Sequence, residues 1–89
     1  MDLLLKGKKV LVTGSTAGIG FATARALAAE SASVIVNGRG QARVDAAIKE
    51  IQKLHPHADV TGVASDVSNA AGCKKLVQAV EAVDILVNN

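Results

Sequence analysis

The 89 residues carry ten Lys and Arg against eight Asp and Glu, a formal net charge of +2, with 49% hydrophobic and 20% charged residues. That is the composition of one small folded domain rather than of a disordered segment, and it is too nearly neutral to mark a nucleic-acid or membrane surface. Tyr and Trp are absent and Phe21 is the single aromatic residue, which excludes a tyrosine acid within the chain and an aromatic stacking platform for single strands; the lone Cys73 excludes an internal disulfide.

The amino terminus has Asp2 and only the short run Leu3-Leu4-Leu5, which is not a signal peptide. No apolar run approaches the roughly 20 residues that span a bilayer, so the expected location is the reducing cytoplasm. Lys6, Lys8 and Lys9 read as a solvated lead-in. Residues 8–12 are a short aliphatic run ended by Thr13-Gly14-Ser15, a strand and its turn. Residues 18–30 are rich in Ala and predict the first helix, with Ile19, Ala22, Ala26 and Leu27 expected on its buried face. Residues 33–36 predict a second strand, with Asn37-Gly38-Arg39-Gly40 as its exit loop.

Residues 41–54 predict the clearest helix: Val44, Ala47, Ile48 and Ile51 fall at i, i+3, i+4 and i+7, Leu54 continues the stripe, and Pro56 ends it. Residues 59–64 predict the third strand, with Ser65-Asp66-Val67-Ser68 as its exit loop. Ser68 is the expected N-cap of a helix over 69–81, and Cys73, Leu76, Val77 and Val80 are expected to be buried. Residues 84–89 predict the fourth strand. The strands are continuous apolar runs rather than alternating ones, which a parallel sheet covered on both faces requires. Right-handed crossovers then give an α/β, doubly wound, Rossmann-like half in the order 3-2-1-4, with the first two helices on one face and the third on the other.

The most informative stretch is Thr13-Gly14-Ser15-Thr16-Ala17-Gly18-Ile19-Gly20. Gly14 allows a sharp turn off the strand, Gly18 lets backbone approach a pyrophosphate, and Gly20 lets the helix pack closely on the sheet. The helix start beginning at Gly18 and Ile19 offers free N–H groups to an anion, and Ser15 and Thr16 are expected to add hydroxyl donors. A plain glycine turn is the competing reading; the strand–turn–helix setting favours a ligand. No Gly-Lys-Ser/Thr follows, so this is not a P-loop. His55-Pro56-His57 lacks a third ligand at metal spacing and reads as a helix-ending loop, so no metal site is assigned. Asp59 and Asp66 are not a catalytic carboxylate pair, and Asp84 reads as a structural hydrogen-bonding residue.

Thr-Gly-x-x-x-Gly-Ile-Gly resembles the short-chain dehydrogenase/reductase family. Asp66-Val67 after the third strand resembles its adenine-contacting Asp, and Asp84-Ile85-Leu86-Val87-Asn88-Asn89 resembles the start of its Asn-Asn-Ala-Gly signature. The extended branch, with Thr-Gly-x-x-Gly-x-x-Gly, fits less well because Ala17 stands where its second glycine falls. The resemblance implies an oxidoreductase acting on a small alcohol or carbonyl substrate, assembled as a homo-oligomer.

An NAD site usually has an acid about 20 residues beyond the glycine loop, on both ribose hydroxyls. Here Asn37 is followed by Gly38 and Arg39 where that acid belongs. A 2′-phosphate meets no repulsion at Gly38 and a guanidinium at Arg39, which makes NADP(H) the expected cofactor over NAD(H). The competing reading leaves Arg39 a loop decoration. The resemblance places the catalytic Ser and Tyr-x-x-x-Lys beyond Asn89, so no catalytic residue is assigned within 1–89. The chain is expected to be a partial dinucleotide-binding domain of a longer polypeptide; the alternative is a non-catalytic nucleotide-binding module or an inactive remnant.

Overall fold

In the computed structural model, which describes residues 5–89, seven elements alternate along the chain: β1 (Lys9–Val12), α1 (Gly18–Ala29), β2 (Ser33–Gly38), α2 (Gln41–Leu54), β3 (Val60–Ala64), α3 (Ala70–Glu81) and β4 (Ile85–Val87). Most of the amino-terminal stretch read for signal-peptide character, residues 1–4, lies outside the described residues. The four strands are parallel in the order β3-β2-β1-β4, as the crossover rule requires.

Strand register decides which side chains share a face, because successive residues point to opposite sides. Val10 lies between Val34 and Ile85, and Val12 between Val36 and Val87; Val34 pairs onward with Val60. On this face Ala24 and Ala28 of α1 and Ala47 and Ile51 of α2 close one apolar core. Each fully buried aliphatic side chain there contributes roughly 1.5–3 kcal/mol. Leu11, Ile35 and Leu86 form the alternate row. The chain steps outward from β1 to β2 to β3 and then returns to β4, so right-handed connections put α3 on that second face.

Several boundaries shift. β2 runs to Gly38 rather than Val36, because Asn37 and Gly38 pair with Val63 and Ala64. β1 and β3 each start one residue later than expected, and β4 contracts to the three residues that pair with Val10, Leu11 and Val12. Asp84 falls just outside β4, where its carboxylate accepts the Lys9 N–H at 2.9 Å. The N-cap of α3 is Asn69, whose Oδ1 accepts from Gly72 N at 2.7 Å. Ser68 lies one residue before that cap, and its hydroxyl is turned to Asp66, donating to Oδ1 at 2.6 Å.

Two expected burial stripes also differ. α1 buries Gly20, Ala24 and Ala28, while Ile19 is 80% exposed and Ala22 and Ala26 are exposed. A row of the smallest residues lets the helix sit close to the strands, and that requirement outranks the size of Ile19. α3 buries none of its residues, and Cys73, expected to be a buried hydrophobe, is exposed. Its stripe is periodic, but periodicity says only which side chains share a face, not how much lies opposite. No described helix is long and apolar enough to cross a membrane.

Candidate functional site

Parallel pairing brings the carboxyl ends of all four strands to one edge. The loop between β1 and α1 crosses that edge in a conformation that two glycines permit: Gly14 and Gly18 have φ of +57° and +62°. A Cβ at Gly18 would meet nothing within 4 Å, so the loop apex is open. Gly20 is needed for the opposite reason. A Cβ there would run into the Gly14 carbonyl oxygen and lie 2.7 Å from Asn89 Nδ2. The close approach inferred for Gly20 is thus to the loop and to Asn89.

The start of α1 has no side-chain cap and no acid in its first turn. The N–H groups of Gly18, Ile19 and Gly20 precede the first intrahelical bond, from Phe21 N to Ala17 O at 3.3 Å, and are free to meet an anion. Ile19 is exposed here because it sits on the outer side of this first turn.

Beneath the apex lies a buried polar knot. Ser15 is fully buried: its hydroxyl donates to Val12 O at 2.6 Å and accepts from Asn37 N at 2.8 Å, while its own N–H donates to Asn37 O at 2.7 Å. The expected hydroxyl donor toward a ligand is therefore committed inside the protein. Asn37 is 6% exposed; its Oδ1 accepts from Gly14 N at 3.2 Å, and its Nδ2 donates to Val63 O and Ser65 Oγ, each at 3.0 Å. It ties the glycine loop to β3. Among the described residues no buried side-chain polar atom lacks a partner, which is what makes such a knot stabilising.

A second clamp joins β1 to β4. Thr13 Oγ1 donates toward Asn88 Oδ1 at 3.3 Å and accepts from Asn89 N at 3.0 Å, and Asn89 Nδ2 donates to Gly14 O at 3.1 Å. Thr13 and Ser65 were not singled out as site residues in the sequence. The only signal for Thr13 is its place beside Gly14, and nothing local marks Ser65.

At the end of β2 the site opens outward. Thr16 stands over Gly38, close enough that a Cβ on the glycine would collide with the Thr16 γ-methyl. The Arg39 side chain is 79% exposed, with Nε 3.8 Å from Asp66 Oδ1. Asp66 Oδ1 also accepts from the Ser68 hydroxyl at 2.6 Å and the Ser68 N–H at 2.9 Å. The Ser68 hydroxyl bond first and its N–H second hold the Asp66 carboxyl below its usual value against desolvation, and the Arg39 charge adds the smallest contribution. Asp66 Oδ2 takes no partner among the described residues. Val67 beside it is 58% exposed, and its carbonyl accepts from Cys73 Sγ at 3.1 Å.

The edge thus unites an open, uncapped helix start, an exposed guanidinium and an ionised carboxylate, an arrangement suited to a phosphate-bearing nucleotide. His55 and His57 lie at the other end of the sheet, in a concavity with Ser31, Leu54, Pro56 and Asp59. Among the described residues no group of three His, Cys, Asp or Glu could hold a metal ion.

The family model for short chain dehydrogenase matches residues 8–89. The oxidoreductase YvaG of Bacillus subtilis is 49% identical over 89 residues, which are 100% of this chain and 34% of that protein. D-beta-hydroxybutyrate dehydrogenase of Cupriavidus necator is 44% identical over 90 residues, 97% of this chain and 34% of that one. The structure of L-sorbose reductase from Gluconobacter frateurii, complexed with NADPH and L-sorbose, superposes with a TM-score of 0.84 at 34% identity, covering 100% of this chain and 35% of that one. The chain therefore spans about a third of the length of the relatives it matches.

Proposed function

Because the chain belongs to the short-chain dehydrogenase family, we propose that it is the nucleotide-binding portion of an oxidoreductase that moves hydride between NADP(H) and an alcohol or carbonyl substrate. One observation carries the cofactor assignment: the open, uncapped turn at Gly18 lies on the same edge as a strand end with no side chain at Gly38 and an exposed Arg39. The residues present fit a dinucleotide. The first-turn N–H groups of Gly18, Ile19 and Gly20 would hold the pyrophosphate. Gly38 sets no carboxylate against a 2′-phosphate, and Arg39 would meet it with a bidentate, charge-assisted contact. Asp66 and Val67 would take the adenine, with Asp66 Oδ2 free to accept a hydrogen bond. Asn88 and Asn89, through Thr13 and Gly14, keep the loop in the shape that binding needs.

Once bound, the nicotinamide supplies the hydride donor or acceptor. The chain contains no Tyr, so a tyrosine acting on the substrate oxygen would come from outside these residues. The NADPH-complexed L-sorbose reductase supports the reading through its similarity.

Fluorescence titration of the full-length polypeptide with NADPH and NADH tests it. The Arg39 contact should favour NADPH by roughly 10- to 150-fold, and Arg39→Gln should narrow that gap. Equal or tighter binding of NADH by the wild type would overturn the cofactor assignment.

A further inference from the structure

We infer that Thr16 is a specificity-determining residue: its γ-methyl occupies the place where any side chain at position 38 would begin, and so keeps a carboxylate off the end of β2. The inference rests on the dinucleotide reading above. Gly38 is the last residue of β2 and pairs with Ala64. Its backbone is not in the left-handed region, unlike that of Gly14 and Gly18, so any residue could adopt it. Space, not conformation, is what excludes a side chain.

A Cβ built on Gly38 would collide with Thr16 Cγ2, while Thr16 Oγ1 and Val44 Cγ2 would each stand at 3.4 Å. The last two contacts are tolerable, and the methyl is not. Nor can the methyl retreat easily. Threonine is stiff at χ1, and the loop that carries it is stapled to β2 one residue earlier by Ser15 N to Asn37 O at 2.7 Å and Asn37 N to Ser15 Oγ at 2.8 Å. A Cβ at Gly40, two residues further along, would meet nothing within 4 Å. The obstruction is confined to the position where an acid would reach the ribose hydroxyls. Cofactor choice is thus set jointly by the glycine loop and the strand end, and a single substitution at Gly38 cannot reverse it.

The test is a four-protein cycle on the full-length polypeptide: wild type, Gly38→Asp, Thr16→Ser and the double variant, each titrated with NADH. Thr16→Ser removes Cγ2 and keeps the hydroxyl. With Thr16 in place, Gly38→Asp should change NADH affinity by less than about threefold; in the Thr16→Ser background the same change should raise it by at least about tenfold. An equal gain in both backgrounds, or none in either, overturns the inference. Gly38→Ala gives a second readout in melting temperature, independent of any cofactor. It should lower the melting temperature with Thr16 present and much less in the Thr16→Ser background; equal losses overturn the coupling. Tighter NADH binding by the wild type would instead remove the NADP(H) assignment, while the melting comparison would still report on Thr16 and Gly38.

Discussion

Helices α2 and α3 carry the same pattern, apolar residues at i, i+3, i+4 and i+7, yet α2 buries Val44, Ala47 and Ile51 whereas α3 buries nothing. The difference lies in what each helix faces. α2 lies over β2 and β3 and against α1, and Gly62 of β3 leaves a hollow that Val44 and Ile48 fill: a Cβ there would collide with Val44 Cγ1 and stand 2.9 Å from Ile48 Cδ1. α3 makes its main sheet contact with β3, and on its side of the molecule Val77 is 54% and Leu86 45% exposed. An amphipathic helix sequence specifies a face; the depth of its burial is a property of the neighbours.

Truncation is the most direct way to break this comparison. Ile51→Ala removes a fully buried side chain and should cost about 2–5 kcal/mol, read as a lower urea midpoint at unchanged slope. Val77→Ala should cost less than about 0.5 kcal/mol. A loss at Val77 matching that at Ile51 would show that the α3 face is covered in solution.

The buried knot is the polar counterpart of the α2 side. Asn37→Leu keeps the volume but strands the Gly14 N–H, the Val63 carbonyl and the Ser65 hydroxyl. Leaving such groups unpaired should cost about 1–3 kcal/mol. Dinucleotide affinity should fall with it, because the loop loses its anchor. Unchanged stability would mean that water or a shifted neighbour replaces these bonds.

Strand order and the buried face of α2 were legible in the sequence because both follow from local period and chain direction. The roles of Ser15 and Asn37 were not. A serine in a glycine loop looks the same whether its hydroxyl faces a ligand or the protein, and Ser15 turns inward because β2 continues through Asn37 to Gly38, a pairing with β3 that no local signal reveals. The α3 cap was illegible for a similar reason. Ser68 and Asn69 are equally good capping residues, and only the structure shows Asn69 accepting from Gly72 N while the Ser68 hydroxyl turns to Asp66.

Gly18 sharpens the contrast between open apex and locked base. A Cβ at Gly18 meets nothing within 4 Å, so the folding cost of Gly18→Val is chiefly that of a left-handed backbone on a branched residue, roughly 1–2 kcal/mol. The side chain would nonetheless stand where an anion approaches. A melt should show a folded protein, and titration should show dinucleotide affinity reduced by at least about tenfold. Normal binding would show that the phosphate site has been misplaced.

The smallest expected effect belongs to Asp66, on the loosely held side of the site. Its carboxyl is held below the ordinary value, first by the Ser68 hydroxyl, then by the Ser68 N–H, and last by Arg39. A lowered folded-state value means that the ionised form stabilises the fold. That contribution is complete above the unfolded value of about 3.9 and fades as pH falls from there through the folded value. Asp66→Asn keeps an acceptor oxygen for Ser68 but cannot titrate. Between about pH 5 and pH 3 the wild-type melting temperature should therefore fall slightly more than that of Asp66→Asn. Arg39→Gln should behave almost as the wild type, because an exposed pair at 3.8 Å contributes little. If Arg39→Gln flattens the profile as much as Asp66→Asn does, the guanidinium is committed to Asp66 and is not free to meet a 2′-phosphate.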